Sequence, residues 1–232
     1  MKTAGIIGGI GPASTIEYYR LIIASYREQK RDGSYTHLII NSIDLNRMRS
    51  LIEANNLPEV TEYLLCEIRK LGDAGADFGA LAANTPHLVF DALGRRSPIP
   101  LISIVEVTCQ AAKAGGMKRI GLLGTRFTMQ ASFYPDVFTP AGITLVVPAA
   151  GEQDYIHDKY MNELVNDIIL PETRKRMLTI VERLKAEEGI EGVILGGTEL
   201  PLLLGGVADA GIPFLDTTRL HCEQIVARML SS

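Results

Sequence analysis

Short apolar runs, each stopped by glycine or a small polar residue, alternate along this chain with longer amphipathic stretches. "TAGIIGG" precedes "STIEYYRLIIASYREQK", and "THLIINSI", ending in Asp44, precedes a helical stretch from about Pro58 to Leu71 closed by Gly72. "DFGALAA" precedes "HLVFDAL", with Pro86 suited to a first helical turn, and "IPLISI" precedes "VEVTCQAAKAGG". Further on, "RIGLLGT", "ITLVVP", "GVILGG" and "IPFLD" read as strands, and "PETRKRMLTIVERLKAEEG" and "TRLHCEQIVARML" as helices. An apolar run without polar alternation is a strand covered on both faces, and helices between successive strands make those strands parallel. The fold class is α/β. Ser14 with Glu17 three residues later has the capping-box pattern and predicts a helix start at that serine.

The chain also echoes itself. "KTAGIIGG" from Lys2 resembles "KRIGLLGT" from Lys118, and "LAANTPH" around Ala83 has a counterpart in "ILGGTEL" around Gly197, at nearly the same separation. Two pseudo-symmetric lobes follow, each a parallel sheet flanked by helices. The expected boundaries are residues 1–99 plus 212–232 for the first lobe and 100–211 for the second. Ligands bind beyond the carboxyl ends of strands in open parallel sheets, so the expected site is a cleft with one corner on each wall.

Composition closes off several function classes. A chain of 232 residues that is 47% apolar can bury a large core, and a net charge of −4 gives no footprint for nucleic acid. No apolar run approaches the roughly 18 residues of a membrane helix, and the N-terminal residues lack the charge and apolar pattern of a signal peptide. Cys66, Cys109 and Cys222 are widely spaced, without metal-like pairing, and each falls inside an expected helix, where a buried small hydrophobe is the plain reading. A reducing cytoplasm, no metal and no membrane are the expectations.

Gly8-Gly9-Ile10-Gly11-Pro12 invites a dinucleotide reading, but Ser14 breaks the pattern and Asp44 comes too late for the acidic residue that such a site requires. A tight turn at Gly9 whose backbone N–H groups point at a small anion fits better. At the two corners, Asn84 and Thr85 open one helix, and Thr198 and Glu199 stand at the other strand end. Each residue alone is equally well explained as a helix cap, but two such corners at matching places of a repeat favour carboxylate binding. His87 alone reads as a satisfied helix histidine.

At these residues the sequence resembles the aspartate/glutamate racemase family. The motifs are "GIIGGIGPAST", "AANTPHLVFD", "IGLLGTRFTM", "LGGTELPLLL" and "LDTTRLHCE", and together they span nearly the whole chain. The resemblance implies two α/β lobes, a homodimer, no cofactor, and an amino acid or dicarboxylate as ligand. It also implies ligand contacts from Gly9, Asn84, Thr85, Thr125 and Thr198, with Arg47 or Arg49 near a side-chain carboxylate, unless both are solvated loop arginines.

Family members use a thiolate and a thiol on opposite faces of the α-carbon. Those two positions are Ala83 and Gly197 here, and neither can carry a proton. Each lost acid–base group is expected to remove about 10²–10⁴-fold in rate. Three readings stay open. Glu199 and His87, or a water in the room left at Ala83 or Gly197, serve an altered proton transfer, as a racemase or as a lyase or decarboxylase of the same superfamily. The protein binds a ligand without turnover. Or one blank, Gly197 before Ala83, was introduced to trap a complex.

Overall fold

The computed structural model describes residues 1–205 and 211–231. The chain divides into two compact units, Met1–Ile104 with His221–Ser232, and Val105–Leu220.

In the first unit the chain runs β1 (Ala4–Gly8), α1 (Pro12–Lys30), β2 (Leu38–Ser42), α2 (Leu45–Glu53), α3 (Leu57–Asp73) and β3 (Phe78–Leu81). A 3-10 turn (Thr85–Val89), α4 (Phe90–Arg96) and β4 (Leu101–Ile102) follow. The four strands are parallel in the order β2-β1-β3-β4. Side chains of the central strands alternate between two cores. Ala4, Ile6, Phe78 and Ala80 join Tyr18 and Ile22 on one face, while Ile7 and Leu81 join Val60, Leu64 and Ile68 on the other. Burial on both faces is the reason "AGIIG" is apolar at every position that carries a side chain.

The second unit contains α5 (Ile104–Ala114), which starts on the last residue of the first, then β5 (Arg119–Gly124), α6 (Arg126–Gln130), α7 (Pro135–Phe138) and β6 (Thr144–Val146). It continues through α8 (Ala150–Asn162), a 3-10 turn (Leu164–Asn166), α9 (Pro171–Glu188), β7 (Gly192–Gly196), α10 (Leu200–Leu204), β8 (Phe214–Asp216) and α11 (Thr217–Leu230). The unit boundary falls within α11, whose Cys222, Ile225 and Val226 belong to the first unit's core. This sheet is also parallel, in the order β6-β5-β7-β8. The two sheets thus repeat one topology, and the corners at Ala83 and Gly197 follow the corresponding strands β3 and β7.

Several local expectations need correction. The start of α1 is Gly11 with Pro12 next, not a capping box at Ser14. Ser14 lies inside the helix and donates its hydroxyl to the Ala82 carbonyl at 2.8 Å, while Glu17 pairs with Arg20. Gly72 does not stop α3, which runs on to Asp73. Arg47 and Arg49 lie on a helix, α2, rather than in a loop. Cys66 is exposed, whereas Cys109 and Cys222 are buried, because position 66 faces away from the stripe of Leu64, Leu65 and Ile68. α6, α7 and α8 fill a segment that the hydrophobic pattern left without helices.

Candidate functional site

The first corner begins where β1 ends. Gly9 adopts φ 81, and its N–H donates to Thr15 Oγ1 at 2.8 Å, so this amide is turned into the protein and not toward an anion. α1 has no side-chain cap, which leaves its first-turn N–H groups to other acceptors. At the end of β3, Ala82 donates its N–H to the Ile7 carbonyl and accepts Ser14 Oγ on its own carbonyl. Those two bonds tie the glycine turn to the strand end that carries Ala83, whose side chain is a buried methyl. Asn84 is buried, makes no side-chain cap to the following turn, and stands next to the half-buried Thr85. The turn they open is a 3-10 helix of five residues, shorter than the helix expected there.

His87 is held on both ring nitrogens. The Ile104 N–H donates to Nε2 at 3.3 Å, which places the proton on Nδ1, 3.2 Å from the Asn84 carbonyl. The ring stacks on Phe90 with centroids 4.7 Å apart. Burial, and then His221, pull its pKa down to about 3, so it stays neutral. A ring so engaged positions the Asn84 backbone and has no lone pair to offer a substrate proton. Arg47 is exposed, with its guanidinium 4.4 Å above the Tyr63 ring, and forms no ion pair among the described residues; Arg49 pairs with Glu53 at 2.9 Å.

The second corner follows β7. A Cβ built on Gly197 would stand 2.5 Å from Tyr160 Cε2 and 2.8 Å from its hydroxyl oxygen. The room expected for a water or a thiol at this position is therefore filled by a phenol. Tyr160 is on α8, which turns Gln153, Ile156 and Tyr160 inward on one face. The helix is fixed by Glu152, which accepts from the Ala149 N–H and from Arg183, and by Gln153, which donates to the Pro148 carbonyl. The Tyr160 hydroxyl donates to Glu199 Oε2, and Thr198 Oγ1 donates to the same oxygen at 2.8 Å. Burial foremost, and then the adjacent Glu199 carboxylate, push the Tyr160 pKa well above that of an ordinary phenol. Thr125 caps α6 by accepting the Thr128 N–H, and Thr128 packs where a side chain on Gly196 would go.

The structure therefore brings Gly9, Ala83, Asn84, Thr85 and His87 together in one unit, and Gly197, Thr198 and Glu199 in the other. Tyr160 is the residue that sequence reasoning missed. Its signal was faint: Ile156 and Tyr160 are four residues apart in a stretch that is otherwise mostly polar. Among the described residues there is no group of three or more His, Cys, Asp or Glu that could hold a metal, and no helix long and apolar enough to cross a membrane.

A family model described as Asp/Glu/Hydantoin racemase matches residues 7–225. The chain is 24% identical over 98% of its length, and 98% of the relative's, to the broad specificity amino-acid racemase RacX of Bacillus subtilis (strain 168). A crystal structure from Yersinia pestis, provisionally named an Asp/Glu racemase, superposes with a TM-score of 0.93 at 31% identity, covering 100% of both chains. An aspartate racemase homologue from Pyrococcus horikoshii OT3 gives a TM-score of 0.87 at 33% identity, again over 100% of both chains.

Proposed function

This chain belongs to the Asp/Glu/Hydantoin racemase family, and from that premise we propose that it recognises a small amino acid or dicarboxylate without a two-thiol racemase mechanism. One observation carries the reading: position 197 lacks a proton-bearing side chain, and the volume beside it is filled by the Tyr160 ring. At position 83 a methyl group stands, and the nearest imidazole, His87, is neutral with both nitrogens engaged. Removing an α-proton requires a strong base, and without one on either face the family's route loses about 10²–10⁴-fold per missing group. Asn84 and Thr85 at the first strand end are polar groups suited to a carboxylate, whereas the one donor of the Thr198 hydroxyl at the other is directed to Glu199.

A second reading rests on Glu199. It is a titratable carboxylate beside position 197, hydrogen-bonded to two hydroxyls, and it could carry a proton in an altered reaction. One experiment separates the two. The protein is incubated in D₂O with a panel of L- and D-amino acids, and the α-proton signals are followed by NMR. The binding reading expects ligand-induced shifts in the protein with no exchange above a protein-free control. Exchange that Glu199→Gln abolishes would replace it with the second reading. Neither exchange nor shifts would sink both.

A further inference from the structure

α6 is five residues long, too short to hold its own start, and its first-turn N–H groups are met from outside the helix. Thr125 Oγ1 accepts the Thr128 N–H, and the Arg126 N–H donates to Nδ1 of His157 on α8 at 3.3 Å. Two further bonds join the same helices: Arg126 Nη2 to Asp154 at 2.8 Å, and Gln130 Nε2 to Gln153 at 3.0 Å. These contacts stand at the rim of the second corner. Gly124 pairs with Gly196 in the sheet, so Thr125 and Gly197 leave their strands side by side, and Thr128 packs over both glycines. About one turn beyond His157 on α8 is Tyr160, which reaches Gly197 and Glu199.

Among these bonds, the one to His157 holds the group whose ordinary titration falls between about pH 5 and 8. An acceptor at Nδ1 leaves the ring proton on Nε2. A second proton can go only to Nδ1, where it takes the lone pair that the Arg126 N–H uses and sets two donors against each other. Unlike His87 and His221, His157 is only half-buried, so solvent reaches it. The charged groups that face it among the described residues are Arg126 from α6 and Asp154 and Asp158 from its own helix. Burial foremost, and then Arg126, hold its pKa below the ordinary histidine value, against the two aspartates. We propose that His157 is a pH-sensitive latch on the second corner: neutral, it fixes the start of α6 to α8, and protonated, it lets go. The bond is complete above about pH 6.5 and is lost as pH falls through the lower pKa of the folded protein. Release frees Thr125 and Arg126 beside Gly197, and removes one of the contacts that hold α8, with Tyr160 on it, against the strand ends. The latch stands independently of any ligand; its effect on binding rests on the reading that this corner takes one.

The test is NMR of the full-length protein between about pH 8 and 5, first without ligand, following the His157 imidazole and the Arg126 amide. Protection of that amide from hydrogen exchange should fall about fivefold or more as the imidazole takes up its proton, the size of one lost hydrogen bond. His157→Asn puts a non-titrating amide oxygen in the place of Nδ1 and should keep the protection throughout. Comparison with it at each pH removes the pH dependence of exchange chemistry itself and of the buried histidines. His157→Ala should show the acid behaviour at every pH. An Arg126 amide indifferent to the titration of His157, or the same fall in His157→Asn, overturns the latch. The L- and D-amino acids of the exchange experiment are then titrated at both ends of the range. Binding should weaken in acid in the unaltered protein, by about the same factor, and hold in His157→Asn. Binding that falls equally in both proteins overturns the regulatory role of the latch and leaves the binding reading standing. Binding of no member at either pH overturns the binding reading, and the latch is then decided by the ligand-free spectra alone.

Discussion

Gly9 and Gly197 are glycine for different physical reasons, and substitutions at the two should behave differently. Gly9 sits at φ 81, where side chains are strained, and an added Cβ would abut the backbone of Ile43, 2.7 Å from its nitrogen. Gly9→Ala should therefore lower unfolding free energy by about 1–3 kcal/mol, read from urea denaturation; a change within error of zero would contradict the strain argument. Gly197 has no positive φ, and its constraint is the Tyr160 side chain rather than backbone. This difference also marks what the sequence could disclose. A glycine turn after a strand is a local pattern, visible in "IIGGIGP". A phenol from a helix reaching a glycine far along the chain is not local, and nothing around Tyr160 announced it. Sequence spacing likewise put His87 near Ala83 but could not show that the backbone occupies both of its nitrogens.

Among the elements, the strands were the most legible, because a strand buried on both faces must be apolar throughout. Helices with a broad apolar stripe, such as α3 and α5, were nearly as plain. The ones that escaped notice are short or mostly polar. α2 has nine residues and buries only Met48 and Ile52, and it follows β2 too closely for a break to show. Its stability depends on Asp44, whose side chain accepts from the N–H groups of Asn46 and Arg47. Asp44→Ala should cost about 1 kcal/mol and speed amide hydrogen exchange at those two residues; unchanged exchange would show that packing alone holds α2. Because Arg47 is displayed from this helix, the same change should loosen its stacking on Tyr63. α8 hid for a related reason: its inward face includes Gln153, and its N-cap is Ala149, so neither its pattern nor its start carried the usual mark.

For the molecule as a whole, two buried histidines set an acid response that begins well above the carboxylate range. Burial pulls His87 to about 3 and His221 to about 4. His221 is fixed by Tyr18 and by the Ile102 carbonyl, at 2.8 and 3.1 Å. Both stay neutral in the folded protein, whereas an unfolded histidine takes up a proton near pH 6.5, so their contribution is complete above that pH and is lost as pH falls toward 4 and then 3. Unfolding free energy should drop between pH 6.5 and 5 with a slope approaching about 1.4 kcal/mol per pH unit for each histidine. Chemical denaturation across that interval checks it, and a flat profile would refute it. At the same scale, the repeated strand order shows that one topology can end in unlike corners: a methyl at Ala83, and a glycine covered by a ring at position 197. The second of these acts as a ratchet. A cysteine introduced at 197 meets Tyr160 before it meets any ligand, while a smaller residue introduced first at 160 opens the space but sets Glu199 loose. Of the two mutational routes to a thiol at this corner, one crosses a steric barrier and the other gives up the orientation of the carboxylate, so the order of the changes decides what each intermediate protein can do.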